Sequence, residues 1–347
     1  MRSIKYELLF ILLITASCAV NFKTIQRLDN VYKISAEAQL KNEHYQEKIE
    51  NFYTLGKEGY FAGKDSIQIY YKIFRQAALE SPAILISSGR TEAAIKYKEL
   101  IFDLYNNGYS VYILDHRGQG LSGRMTKDPD MGYIDTFQFY VDDMKYFYDT
   151  TLKKTPHKKK YLLAHSMGGA IGITYLEQNP KDFNAAAFSS PMLGFIAFTC
   201  SATKLLSGKK TKYALGQGSY QENENIFKKN KLTGSEIRYH LMNAAFAKDT
   251  LARLGGPSYQ WIYKSCKQFD YINDNINNIE TPFILFSAEN EEIVSIKAHQ
   301  KFIEEAQQLG KTCEGFLIEN AQHELFIEKD EIRIKTMNQI FNYYNKY

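Results

Sequence analysis

Ser166 stands in the run Ala164-His165-Ser166-Met167-Gly168. The apolar stretch Tyr161-Leu162-Leu163 precedes it, and a helical apolar pattern through Ile171, Ile173, Tyr175 and Leu176 follows. A serine among small residues between a strand and a helix sits on a tight, strained turn that raises its hydroxyl above the sheet edge. This is the G-x-S-x-G elbow, with Ala164 in place of the first glycine. A serine hydroxyl is a poor nucleophile unless a base takes its proton, an acid orients that base and N–H donors receive the oxyanion. Those partners decide whether the pattern is more than an ordinary turn.

The chain has seven histidines. His44 and His157 lie in polar stretches and are expected to be solvated. His240 and His299 fall on helical segments, and His116 and His165 precede any acid-bearing strand. His323, in Asn320-Ala321-Gln322-His323-Glu324, follows the last apolar strand and is the candidate base. The acid is sought in Ser287-Ala288-Glu289-Asn290-Glu291-Glu292-Ile293-Val294. A common arrangement puts it two residues before an apolar pair, which selects Glu291, with Glu289 and Glu292 as competitors. The chain order Ser, Glu, His is that of α/β-hydrolases. Ser87-Ser88-Gly89-Arg90 follows another apolar strand, so the N–H groups of Arg90 and Met167 are the expected oxyanion donors. The loop Asp115-His116-Arg117-Gly118-Gln119-Gly120-Leu121-Ser122 lacks the lysine of a P-loop and is read as structural, with Asp115 or Arg117 bracing its neighbours.

These residues need a scaffold, and the hydrophobic pattern supplies one. Gly59-Tyr60-Phe61 and Ile67 to Phe74 alternate with period two around Gly63-Lys64-Asp65, which predicts an antiparallel hairpin. Ala83 to Ser87, Val111 to Leu114, Tyr161 to Ala164, Ala185 to Ser189 and Phe283 to Ser287 are continuous apolar runs, as in strands buried on both faces. Helical patterns cover Tyr97 to Asn106, Phe137 to Leu152, Lys297 to Gln308 and Asp330 to Asn345; Gly315 to Ile318 is the last strand. Alternation of strand and helix predicts an α/β fold with a mostly parallel sheet. Residues from about 192 to 277 interrupt that rhythm with helical segments and are expected to form a lid over the carboxyl ends of the strands. Phe195, Phe198, Leu205 and Leu206 are expected either to face an acyl chain or to form the lid's own core. Lys209-Lys210 and Lys228-Lys229 are read as solvated, with anionic headgroups as the alternative they could face.

The domain division expected is residues 1–17 as an export signal, 18–54 as a polar tether and helix, and 55–347 as the catalytic domain. Arg2 and Lys5 precede the apolar run Leu8 to Ala16, which is too short to span a bilayer. Thr15-Ala16-Ser17-Cys18 resembles the lipobox of bacterial lipoproteins. That resemblance implies a lipidated Cys18 and an exported protein tethered to a membrane surface. The other cysteines, Cys200, Cys266 and Cys313, have no metal-site spacing and are expected as free, mostly buried thiols, although Cys200 and Cys266 could pair in an oxidising compartment. A net charge of +4 is too small to argue for nucleic acid.

From about Gly59 onward the chain resembles the bacterial lysophospholipases related to monoacylglycerol lipase, within the α/β-hydrolase superfamily. The resemblance is carried by Ser88-Gly89-Arg90-Thr91-Glu92 with Lys96-Tyr97, by Asp115 to Arg124, by Ala164 to Ala170, by Gly255-Gly256-Pro257-Ser258-Tyr259-Gln260-Trp261 and by Gln322-His323-Glu324. It implies Ser166 as nucleophile, Glu291 as acid and His323 as base. It also implies hydrolysis of the single acyl ester of a lysophospholipid or monoacylglycerol without metal or other cofactor. The departures are Ser88-Gly89 where many relatives have His-Gly, and glutamate where many monoacylglycerol lipases have aspartate. The alternatives are a small-ester esterase or serine aminopeptidase, and a non-catalytic lipid-binding lipoprotein.

Overall fold

The computed structural model describes residues 22–25, 30–196, 200, 208, 210–221 and 226–347. Among them, nine strands form one sheet: β1 Lys23–Thr24, β2 Lys57–Ala62, β3 Gln68–Phe74, β4 Ala83–Ser87, β5 Ser110–Leu114, β6 Lys160–His165, β7 Ala185–Ser189, β8 Phe283–Ala288 and β9 Cys313–Ile318. Their order is β1-β9-β8-β7-β6-β4-β5-β3-β2. Only the β2–β3 and β3–β5 pairs are antiparallel. The helices are α1 Glu37–Leu40, α2 Glu43–Thr54, α3 Lys98–Asn106, α4 Gln138–Phe147, α5 Met167–Gln178, α6 Glu236–Lys248, α7 Tyr259–Asn275, α8 Ile296–Gln308 and α9 Asp330–Lys346.

The continuous apolar strands are explained by two cores, one on each face of the sheet. Leu85, Leu162 and Phe188 pack with Met144 of α4 and Ile171 of α5. Their neighbours Ile84, Ile86 and Leu163 point the other way, onto Leu100 of α3 and Phe341 of α9. Successive side chains leave a strand on opposite faces, so a strand covered on both sides must be apolar throughout.

The N-terminal residues lie on this body. The β1 strand pairs parallel with β9 at the sheet edge, which two residues of sequence could not announce. Asn42 caps α2 through the N–H groups of His44 and Tyr45. Phe52 of α2 then packs on Phe74 and Phe102. Ser35 donates its N–H to Asp103, while its carbonyl accepts from Arg238 and Arg333.

Two expectations are corrected. Cys200 and Cys266 form a disulfide, leaving Cys313 as the free thiol among the described residues. The bond joins positions 66 residues apart, and fold topology, not spacing, brings them together. His157 is buried rather than solvated, because Ser81 O and the Tyr112 hydroxyl hold its two ring nitrogens.

The segment between β7 and β8 contains α6 and α7. Ser235 and Ser258 cap them by accepting from Arg238 N and Trp261 N. The Gly255-Gly256 turn is stitched to the body by Gly255 N donating to Asp130 O and Gly132 N donating to Gly256 O. Phe195 packs on Phe269 and Trp261, so it belongs to the core of this segment. Lys210, Lys228 and Lys229 are exposed, while Phe198, Leu205, Leu206 and Lys209 lie outside the described residues.

Candidate active site

The β6 strand ends at His165, and α5 begins at Met167, so Ser166 alone makes the turn. Its backbone sits at φ 50° and ψ −119°, a region that L-residues rarely adopt. Four backbone bonds hold this strained residue: Ser166 N donates to Ser189 O, and Ser166 O accepts from Gly169 N, Ala170 N and Met192 N. A Cβ on Gly168 would overlap the carbonyl oxygens of Ser87 and Ser88. Glycine is therefore required for α5 to approach β4 this closely. The result is a serine fixed at the carboxyl edge of the central strands, where ligands bind in open α/β sheets.

His323 follows β9 on a loop pinned from several sides. Glu289 Oε2 accepts from Asn320 N at 2.8 Å, Ala321 O accepts from Asn290 N at 2.9 Å, and Glu324 N donates to Leu232 O at 2.8 Å. His323 Nδ1 lies 2.7 Å from Glu291 Oε2. An ionised carboxylate only accepts, so Nδ1 carries the proton and Nε2 keeps the lone pair that a base needs. Glu291 Oε1 accepts from Ile293 N at 2.8 Å and Val294 N at 3.2 Å. Burial alone would raise the Glu291 pKa. The His323 bond and these N–H groups outweigh it and hold the carboxyl below its ordinary range. The competing acids are elsewhere: Glu289 braces the Asn320 turn, and Glu292 pairs on the surface with Lys231.

The turn after β4 completes the arrangement. A Cβ on Gly89 would stand 3.1 Å from Ser166 Cβ, so the turn passes directly beside the serine. Gly89 N donates to Glu92, and Gln119 Nε2 donates to Gly89 O at 2.7 Å. The Arg90 and Met167 N–H groups have no protein acceptor among the described residues. Two such donors beside a serine suit an oxyanion. The 115–122 loop braces this region: Asp115 accepts from Ala94 N and Leu121 N, and Arg117 grips Asp143 with two nitrogens at 2.6 and 2.7 Å.

A profile of the family described as "Serine aminopeptidase, S33" matches residues 80–330. The chain belongs to this family of α/β-hydrolases. It is 34% identical over 310 residues to Lysophospholipase L2 of Escherichia coli, covering 86% of this chain and 90% of that protein. It is 23% identical over 277 residues to Monoglyceride lipase of Mus musculus, covering 80% and 86%. Among solved structures, the fold matches a soluble variant of monoglyceride lipase from Saccharomyces cerevisiae with a TM-score of 0.65 at 18% identity, covering 84% of this chain and 96% of that one. It also matches a thermostable carboxyl esterase from Bacillus coagulans at 0.66 and 14%, covering 84% and 98%. At these identities the two structures support the fold alone.

Behind the serine, this α/β-hydrolase carries a buried charge cluster that sequence reading did not assemble. Lys96 Nζ pairs with Glu92 and, at 2.6 Å, with Glu324. His165 Nε2 lies 3.2 Å from Glu324 Oε2 and 3.7 Å from Glu92 Oε1, ion-pair distances without an aligned hydrogen bond. His165 Nδ1 faces Ser189 O at 3.0 Å; burial opposes a charge on the ring, but Glu324 and Glu92 outweigh it and raise its pKa, which favours the imidazolium. Two cations thus balance two carboxylates. Burial opposes ionisation of Glu324, yet Lys96 and His165 hold its pKa well below the ordinary range. One ligand atom each from Glu92, His165 and Glu324 lie within 4.8 Å of one another, a spacing that suits a cation, and the Lys96 ammonium is the cation there. Gly89, His165 and Glu324, all held by this cluster, are neighbours in sequence of Arg90, Ser166 and His323. The Glu92 to Lys96 spacing of one helical turn was the only local signal.

Proposed function

We propose that this protein is a serine carboxylic-ester hydrolase that releases the fatty acid of lysophospholipids or monoacylglycerols. The observation that carries the chemistry is the Glu291–His323 hydrogen bond, with the His323 ring 4.8 Å from that of His165, the residue before the strained Ser166. The extended similarity to a named lysophospholipase supports the lipid class. In the proposed cycle, His323 Nε2 takes the Ser166 proton as Oγ attacks the ester carbonyl. Arg90 N–H and Met167 N–H hold the oxyanion, and Glu291 stabilises the imidazolium. His323 then protonates the leaving glycerol oxygen, and water repeats the sequence on the acyl-enzyme to give fatty acid and free Ser166.

The test is a panel of lysophosphatidylcholine, monoacylglycerol, a short nitrophenyl ester and an aminoacyl amide. The lipid esters should be cleaved with the highest kcat/KM, and Ser166→Ala should lower kcat about 10⁴-fold. Equal rates for the two proteins, or preference for the amide, would overturn the reading.

Lipidation of Cys18 and export to a membrane surface belong to the same proposal. The Cys200–Cys266 disulfide supports it, since such bonds persist in oxidising compartments. No helix among the described residues is long and apolar enough to cross a membrane. A Cys18→Ala protein should leave the detergent phase on partitioning; one that stays there is not held by that lipid.

A further inference from the structure

Arg90 has a second feature besides its backbone. The side chain turns from the oxyanion turn toward the lid, where Nη2 donates to Gly255 O at 2.5 Å. Its guanidinium carbon lies 5.1 Å from the centre of the Trp261 ring. Trp261 is itself fixed, because its Nε1 donates to the Tyr140 hydroxyl at 3.2 Å. Gly132 closes another side: a Cβ there would stand 2.7 Å from Arg90 Nη2.

Nothing in this setting neutralises the charge. Nε is buried without a partner, and Nη1 has no protein acceptor among the described residues. No carboxylate is among the groups that offset the burial of the guanidinium. Burial pushes the pKa down to about 10, which still leaves the group charged at neutral pH. Arg90 is half-buried; the fully buried arginines differ from it. Arg117 pairs with Asp143, Arg238 with Glu99 and Asp330, and Arg333 with Asp103 and Glu99. A cation partly withdrawn from water without a counter-charge is costly, and a guanidinium with free donors is suited to an anionic ligand.

We infer that the Arg90 side chain is the phosphate-binding group of the acyl-ester site. The preferred substrate then carries a phosphodiester headgroup on the same glycerol as the scissile ester. The guanidinium offers two donors to phosphate oxygens, the geometry in which arginine binds best. Its backbone N–H meets the developing oxyanion, so one residue registers the two ends of the glycerol unit. This rests on the ester-hydrolase reading above and narrows it, because a monoacylglycerol has no anion to offer.

The experiment compares kcat/KM for lysophosphatidylcholine and for monoacylglycerol of the same acyl chain, in neutral detergent micelles. Wild type, Arg90→Met and Arg90→Lys are normalised by active-site titration. Disturbance of the backbone N–H lowers both substrates and cancels in their ratio. Arg90→Met should lower the lysophospholipid-to-monoacylglycerol ratio about tenfold to a hundredfold, mostly through KM, and Arg90→Lys should retain part of it. Lysophosphatidylethanolamine should follow lysophosphatidylcholine, because the phosphate is what they share. In wild type, glycerol phosphate should inhibit competitively and glycerol should not, a measurement that needs no variant to fold. A ratio unchanged within about twofold, or equal inhibition by the two glycerols, overturns the inference. Wild type that cleaves neither lipid would instead remove the functional reading itself.

Discussion

The two sides of Ser166 handle buried charge in opposite ways. Behind it, Lys96 and His165 meet Glu92 and Glu324, and every charge is answered within the fold. In front, Arg90 stacks on Trp261 with no carboxylate at hand. A balanced cluster has no need of a ligand and is suited to holding neighbouring segments still. An unbalanced cation is suited to receiving one. Glu177 shows a third answer. Both its oxygens are buried without partners, and burial pushes its pKa up to about 9, so it is a neutral acid at neutral pH. Arginine has no such escape, since its pKa stays far above neutral even in this pocket.

The comparison can be broken at several places. The largest effect is expected at the acid that touches the base. Glu291→Gln removes the carboxylate that orients His323 and should lower kcat about 10³- to 10⁴-fold with the fold intact by circular dichroism. A small loss there would mean that Glu291 is a structural partner only.

Next comes the balanced cluster. Lys96→Met leaves two buried carboxylates facing one imidazolium and should lower kcat on a soluble nitrophenyl ester about tenfold to a hundredfold, with KM little changed. Adding Glu324→Gln restores the charge balance, so the double variant should melt higher than Lys96→Met alone. If Lys96→Met lowers melting temperature but leaves kcat per titrated site untouched, the cluster holds the fold and not the machinery.

Glu177 tests the third answer through pH. Its folded pKa is raised, so the native state keeps a proton that the unfolded chain loses. Wild-type stability therefore falls as pH rises from about 5 to about 9 through this group. Glu177→Gln removes that slope and should stabilise by about 2 kcal/mol near pH 7, read by urea unfolding. Parallel curves for the two proteins would show that the carboxyl is solvated. The smallest effect is expected at Glu292, which pairs with Lys231 on the surface; Glu292→Gln should stay within about twofold in kcat/KM.

Much of this protein could be read in one dimension. The hairpin at β2 and β3, the buried strands β4 to β8 and helices α3, α4, α5, α8 and α9 follow from hydrophobic period. Period reports which faces a segment must bury. Ser166 and His323 were visible because each sits in a local pattern at a strand end. The sequence left three glutamates open after β8, since any of them could reach a nearby loop. The tertiary structure puts Glu291 on His323 and sends Glu289 to Asn320 and Glu292 to Lys231.

Other features had no local trace. The Cys200–Cys266 bond, the docking of β1 on β9 and the cluster around Lys96 join residues far apart in the chain. The lack of a counter-charge at Arg90 is of the same kind, because it depends on what Gly132, Gly255 and Trp261 bring around the side chain. Sequence by itself determined the elements, their order and the residues able to do the chemistry, because those follow from local period and turn geometry. Only the tertiary structure decided which charges are paired, since pairing depends on distances that the fold closes between remote segments.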